Sequence, residues 1–153
     1  MGLPRRPQGP DAPVAVVLAS TGVPFGEEAL RAAAEAGRGE RVAVVSIAKL
    51  YGYAFGLPNP GLMPTPKERE AQARVVGDAL DRLRRWGVTA DAQVVITRNP
   101  AKSIARIARR RGAREVALQA RQGSRMRFLV EGDPAAGLRR RLRGRCEVRA
   151  WYS

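Results

Sequence analysis

PVAVVLAS, Pro13 to Ser20, and RVAVVSI, Arg41 to Ile47, flank EEALRAAAE, Glu27 to Glu35, and this triplet decides the fold. The first run is apolar without alternation and stops at the turn signal Thr21-Gly22, as expected of a strand covered on both faces. The middle run has helical composition with its acids first, and Gly37 and Gly39 follow to stop it. A strand, a helix and a second buried strand in direct succession form a βαβ unit, which demands a parallel sheet.

Beyond the triplet the alternation continues. KLYGYAFGLPNPGLMPTP, Lys49 to Pro66, is too rich in Gly and Pro for a regular element, and its Tyr51, Tyr53 and Phe55 suit a loop that covers an open edge of the core. Glu68 to Trp86 reads as a helix with Val75, Val76, Ala79, Leu80 and Leu83 on one stripe, closed by Gly87. Ala92 to Thr97 is a third strand. Pro100 opens a helix whose Ile104, Ala105, Ile107 and Ala108 turn inward while Lys102, Arg106, Arg109 and Arg110 turn out. Glu115 to Gln119 is a fourth strand, Pro134 to Leu142 a short helix, and Cys146 to Tyr152 a fifth strand. The expected fold is therefore α/β, a five-stranded parallel sheet with helices on both faces in a Rossmann-like three-layer αβα arrangement. It occupies residues 13–153 behind a proline-rich arm, 1–12, expected to be flexible.

The length of 153 residues fits one domain. Lys+Arg number 28 against 14 Asp+Glu, a net charge of +14. Lysine occurs only at Lys49, Lys67 and Lys102, so arginine supplies nearly all of that charge, and genome composition as well as an anionic partner accounts for such a bias. Sixteen basic residues against four acids lie between Arg98 and Ser153. The chain has no histidine and a single cysteine, Cys146, which removes the commonest general base, the commonest metal ligand and any internal disulfide. Its apolar runs fall well short of the roughly 20 residues that span a bilayer. The amino-terminal MGLPRRPQGPDAP lacks the apolar core of a secretory signal, so a cytoplasmic location is expected.

The order of these parts resembles the universal stress protein family. The resemblance rests on a first strand turning into the Glu27-Glu28-Ala29-Leu30 helix, the long Pro/Gly connection after strand two, Trp86-Gly87-Val88 before strand three, Asn99-Pro100-Ala101 leading an Ile-Ala-Arg-Ile-Ala helix, and Cys146 opening the last strand. It spans about Pro13 to Tyr152. It implies ATP as the ligand of the binding members, held by a Gly, two residues, a second Gly, nine residues and then Gly-Ser or Gly-Thr. Such a loop lets backbone approach a phosphate while the next helix offers free N–H groups.

Anchored on Gly132, the two earlier glycine positions of that pattern fall on Gln119 and Gln122, and the hydroxyl position falls on Asp133. Asp133-Pro134 is a good helix start, its carboxylate capping the N–H groups that a phosphate would use, at a gain of about 1 kcal/mol to the helix. Ser20 and Thr21 stand where the family carries an aspartate after strand one. Candidate nucleotide-binding residues are thus Ser20, Thr21, Ser46, Gln119, Arg121, Gln122, Gly132 and Asp133. The reading is a non-enzymatic regulatory or stress-response protein with a degenerate phosphate loop. Two alternatives stay open: an ATP-binding protein in which arginines and glutamines replace the loop glycines, and a basic nucleic-acid-binding protein.

No catalytic or metal-ligating set emerges, since Ser124 after Gly123 has no base to activate it. For nucleic acid or another anionic partner the candidate patch comprises Arg106, Arg109, Arg110, Arg125, Arg127, Arg139, Arg140 and Arg143. Cys146 is expected as a small buried residue. The last strand is expected at a sheet edge, where Trp151 and Tyr152 would pack across a homodimer contact.

Overall fold

The computed structural model describes residues 11–49, 53–54, 57–58, 66–122 and 133–153. In chain order these form β1 (Val16–Ser20), α1 (Glu27–Ala36), β2 (Arg41–Lys49), β3 (Tyr53–Ala54), β4 (Leu57–Pro58), α2 (Pro66–Arg85), β5 (Thr89–Thr97), α3 (Pro100–Arg110), β6 (Glu115–Ala120), α4 (Pro134–Arg141) and β7 (Glu147–Tyr152). Five strands make one parallel sheet, as the sequence pattern anticipates, and they lie in the order β5-β2-β1-β6-β7. The last strand lies at its edge.

The structure departs from the sequence reading at element ends and in the Pro/Gly connection. β2 runs on to Lys49 and β5 begins at Thr89, because the two pair residue for residue from Arg41↔Thr89 to Lys49↔Thr97. The Pro/Gly connection holds a small antiparallel hairpin, β3 with β4, where no regular element is expected from composition. Backbone pairing over two residues asks for no hydrophobic period, so composition gives no sign of it. The aromatic Tyr51 and Phe55 lie outside the described residues.

Strand alternation divides the core into two layers. Val17, Ala19, Val45, Val116 and Leu118 point to one face, where Ile104, Ala105 and Ala108 of α3 and Leu138 of α4 meet them. Val16, Leu18, Val42, Val44 and Ala117 point to the other, against Leu30 and Ala33 of α1 and Val76, Ala79 and Leu83 of α2. α3 and α4 approach each other closely: a Cβ on Gly137 would stand 2.9 Å from the Cβ of Ala101. Only glycine allows that spacing.

At the amino edge of the sheet, Arg111 is 2 % exposed. Its Nη1 and Nη2 each donate to a separate oxygen of Asp91 at 2.7 Å, and its Nε donates to the Ala12 carbonyl at 2.7 Å. Arg41 adds a longer contact to the same carboxylate, 3.5 Å. Asp91 stands near the start of β5 and Arg111 just past α3, so this bidentate pair ties β5, α3 and the segment leading into β1 together.

Candidate functional site

The sheet reverses its winding between β1 and β6. The chain leaves β1 for α1 on one face and leaves β6 for α4 on the other, which opens a crevice at their carboxyl ends. Open α/β sheets take their ligands at such a switch point.

Three polar residues line up there in register, Ser46 on β2, Ser20 on β1 and Gln119 on β6, all buried and all facing α1 and α2. Each is engaged by protein. The Ser20 hydroxyl donates to the Val23 carbonyl and accepts the Gly22 and Val23 N–H groups at 3.2 and 3.0 Å, folding the turn after β1 onto itself. Gly22 has φ +100°, a left-handed conformation that suits glycine. The Ser46 hydroxyl donates to Gln72 Oε1, and Gln72 Nε2 donates to the Gly22 carbonyl at 3.2 Å. Thr21 Oγ1 accepts the Arg121 N–H at 3.1 Å.

Gln119 holds the centre. Its Oε1 accepts the N–H of Gly26, the N-cap of α1, at 3.0 Å, while its Nε2 faces the Trp151 carbonyl at 3.4 Å and Ser153 Oγ at 3.3 Å. A Cβ on Gly26 would stand 3.0 Å from that Oε1, so the glycine and the glutamine fit one another. Helix amino termini attract anions through free N–H groups and the positive end of the dipole. Here a neutral amide takes one donor, and Glu27 and Glu28 already supply negative charge to the first turn.

On the far side, Asp133 Oδ1 accepts the Ala135 N–H at 3.1 Å, Pro134 has no N–H to offer, and the Tyr152 hydroxyl donates to the same Oδ1 at 3.4 Å. Partial burial, then the Asp133 carboxylate, raise the Tyr152 hydroxyl above its ordinary pKa. Gln122 is exposed and its N–H donates to the Ser153 carbonyl at 2.8 Å, extending the β6–β7 pairing.

Of the candidate residues, Ser20, Thr21, Ser46, Gln119 and Arg121 thus gather at one end of the sheet, with Gln122 beside them; Asp133 caps the helix that follows. Gly132 lies outside the described residues, as do Gly123, Ser124, Arg125 and Arg127. Gln72, Gly26 and Ser153 complete the constellation and were not singled out from sequence. Gln72 carries a signal, being the only uncharged polar side chain on α2. Gly26 carries none.

Cys146 is half-buried, and its thiol donates to the Ala113 carbonyl at 2.8 Å. Burial raises its pKa, with the Arg145 charge opposing. Among the described residues no three His, Cys, Asp or Glu side chains come together as metal ligands, and no helix is long and apolar enough to cross a membrane. An open hollow of about 460 Å³ on the α1/α2 side, lined by Arg31, Glu35, Arg38, Trp86 and Val88, lies away from the crevice. There Arg31 and Arg82 stand 6.0 and 5.2 Å from the Trp86 ring, and both pair with Glu27, whose carboxyl is held below its ordinary pKa, first by Arg82 and then by Arg31.

Comparison with protein-family models and with curated proteins gives no match. Solved structures do match over nearly the full length. A protein of the universal stress protein family from Burkholderia pseudomallei is 23% identical, with 95% of this chain and 98% of that one covered at a TM-score of 0.61. A universal stress protein from Archaeoglobus fulgidus is 20% identical, with 90% and 97% covered at a TM-score of 0.64. The Archaeoglobus fulgidus protein in complex with dAMP gives 20% identity, 90% and 96% coverage and a TM-score of 0.61. The fold is that of the universal stress proteins.

Proposed function

We propose that this chain is a divergent universal stress protein, non-enzymatic and regulatory, whose crevice at the ends of β1 and β6 does not hold ATP by the triphosphate grip. The observation that carries this reading is the engagement of the phosphate donors by the protein itself. Gln119 bonds the Gly26 N–H in place of a loop glycine, and the Asp133 carboxylate caps α4 where a phosphate oxygen would lie. A phosphate would have to break the first contact and oppose the charge of the second.

The non-enzymatic reading rests on the side chains present. The chain has no histidine, burial raises rather than lowers the pKa of its one thiol, and the buried hydroxyls of Ser20 and Ser46 each donate to a carbonyl or amide oxygen rather than to a base. Regulation through a partner or another ligand then remains, and the bound dAMP of the Archaeoglobus fulgidus relative makes a nucleotide lacking the triphosphate the first ligand to try. A homodimer through edge strand β7 belongs to the same reading. It is supported by the half-buried Trp151 and the exposed Tyr152 on that edge, and a monomeric mass by light scattering at micromolar concentration would remove it.

Calorimetric titration with Mg·ATP and with dAMP tests the proposal, on the wild type and on the double variant Gln119→Gly, Asp133→Ser. Expected is no saturable ATP binding by the wild type and a gain by the variant. Micromolar ATP binding by the wild type would contradict the reading and restore the alternative in which arginines and glutamines rebuild the site.

A further inference from the structure

The two faces of the sheet carry the same number of basic residues and opposite amounts of acid. On α1 and α2 together stand seven basic residues, Arg31 and six on α2, and seven acids, from Glu27 and Glu28 to Asp78 and Asp81. On α3 and α4 together stand seven basic residues, Lys102, Arg106, Arg109, Arg110, Arg139, Arg140 and Arg141, and no acid. A compositional preference for arginine acts on both faces alike. It accounts for the equal basic counts and leaves the clearance of acid from one face unexplained.

Two described acids beside that face are engaged. Asp11 pairs with Arg110 at 2.8 Å, and Asp133 caps α4. Arg106, Arg139, Arg140 and Arg143 are exposed and form no ion pair among the described residues. Arg109 donates to the Arg141 carbonyl at 3.4 Å, which binds the two helices together and leaves its charge uncompensated. Together with the Gly137–Ala101 approach, this contact sets α3 and α4 side by side as one continuous basic surface. Like charges held on adjacent helices repel, and the repulsion is relieved when an anionic partner neutralises them.

Its chemistry narrows the partner. Guanidinium matches phosphate in planar, two-pronged fashion. Among the described residues the exposed large apolar side chains are Trp86, beyond α2, Ile96, on β5, and Tyr152, whose hydroxyl turns to Asp133, so neither α3 nor α4 exposes one. A lipid surface is normally bound with such side chains inserted, and a single strand with aromatic rings stacked on its bases. A duplex asks only for phosphate contacts. We infer that the α3/α4 face binds duplex nucleic acid through its phosphates, without base readout and independently of the crevice.

Fluorescence anisotropy with a 20-base-pair duplex tests this between 50 and 300 mM salt. Four to six neutralised phosphates give a log-log slope of roughly −4 to −5. The variant Arg106→Gln, Arg139→Gln, Arg140→Gln should reduce the slope by about 2 to 3 and weaken binding at 0.1 M salt by about two orders of magnitude. The same charge removed from the other face, Arg74→Gln, Arg84→Gln, Arg85→Gln, should leave the slope unchanged and the affinity within about threefold. Circular dichroism checks that each variant keeps its fold. Absence of saturable binding at 50 mM salt, or equal weakening by the two triple variants, would overturn the inference. Capture by phosphatidylserine vesicles without duplex binding would overturn it too and assign the face to a lipid surface.

Discussion

Removing the Asp91 carboxylate should be among the costliest single changes in the molecule. Arg111 has a side chain only 1% exposed, and both terminal nitrogens of its guanidinium rest on Asp91, 2.7 Å away. In Asp91→Ala the Nε contact to Ala12 survives while a buried positive charge loses the Asp91 carboxylate. Breaking a buried pair in this way costs about 3–5 kcal/mol. Because Asp91 itself is 29% exposed, water reaches part of the cavity and the low end, about 3 kcal/mol, applies. For a chain of this size that corresponds to a fall in Tm of roughly 6–12 °C. Urea unfolding followed by circular dichroism reads it directly. Arg41→Gln should cost under about 1 kcal/mol, since that contact is longer and more exposed. Adding Arg111→Met to Asp91→Ala should recover much of the loss, because no charge is then stranded. A cost below about 0.5 kcal/mol for Asp91→Ala, or a double variant no better than the single, would refute the reasoning.

Other outcomes follow from single contacts. Gly137→Leu should destabilise by about 1–3 kcal/mol in the same unfolding assay, since even a Cβ there meets Ala101 at 2.9 Å. Asp133→Ala should cost about 1 kcal/mol through the lost cap on α4. Tyr152 has its folded pKa above the unfolded value of about 10, so its contribution is fully present below that pH and is lost as pH rises through the folded value; Tyr152→Phe should make the alkaline decline in stability shallower. Cys146, half-buried and with its pKa raised by that burial, should react with a thiol reagent at neutral pH more slowly than free cysteine.

Much of the architecture is legible in the sequence because period and punctuation are local signals. The unbroken apolar runs of β1 and β2, the stripe on α2 and the Pro100 and Pro134 helix starts each reflect burial of that element alone. The crevice was legible in part. Asp133 as a helix cap follows from its neighbour Pro134, whereas the reach of Gln119 to Gly26 depends on how β6 and α1 meet, which neither segment encodes by itself. Arg111 was hidden for a related reason. It reads as one more member of the run Arg109-Arg110-Arg111, and only the fold turns it inward to Asp91 while its neighbours face solvent. The clearance of acid from the α3/α4 face likewise appears once the helices are assigned to faces; along the sequence it shows as a basic last third.

ATP binding in the crevice depends on whether the Gly26 and Ala135 N–H groups are free to meet a phosphate, and amide NMR observes both. Titrating the ¹⁵N-labelled protein with Mg·ATP should leave these two signals in place, with Gln119 and Asp133 retaining them. Saturable shifts of both at micromolar ATP would show that the phosphate displaces the glutamine and tolerates the aspartate, and would contradict the account.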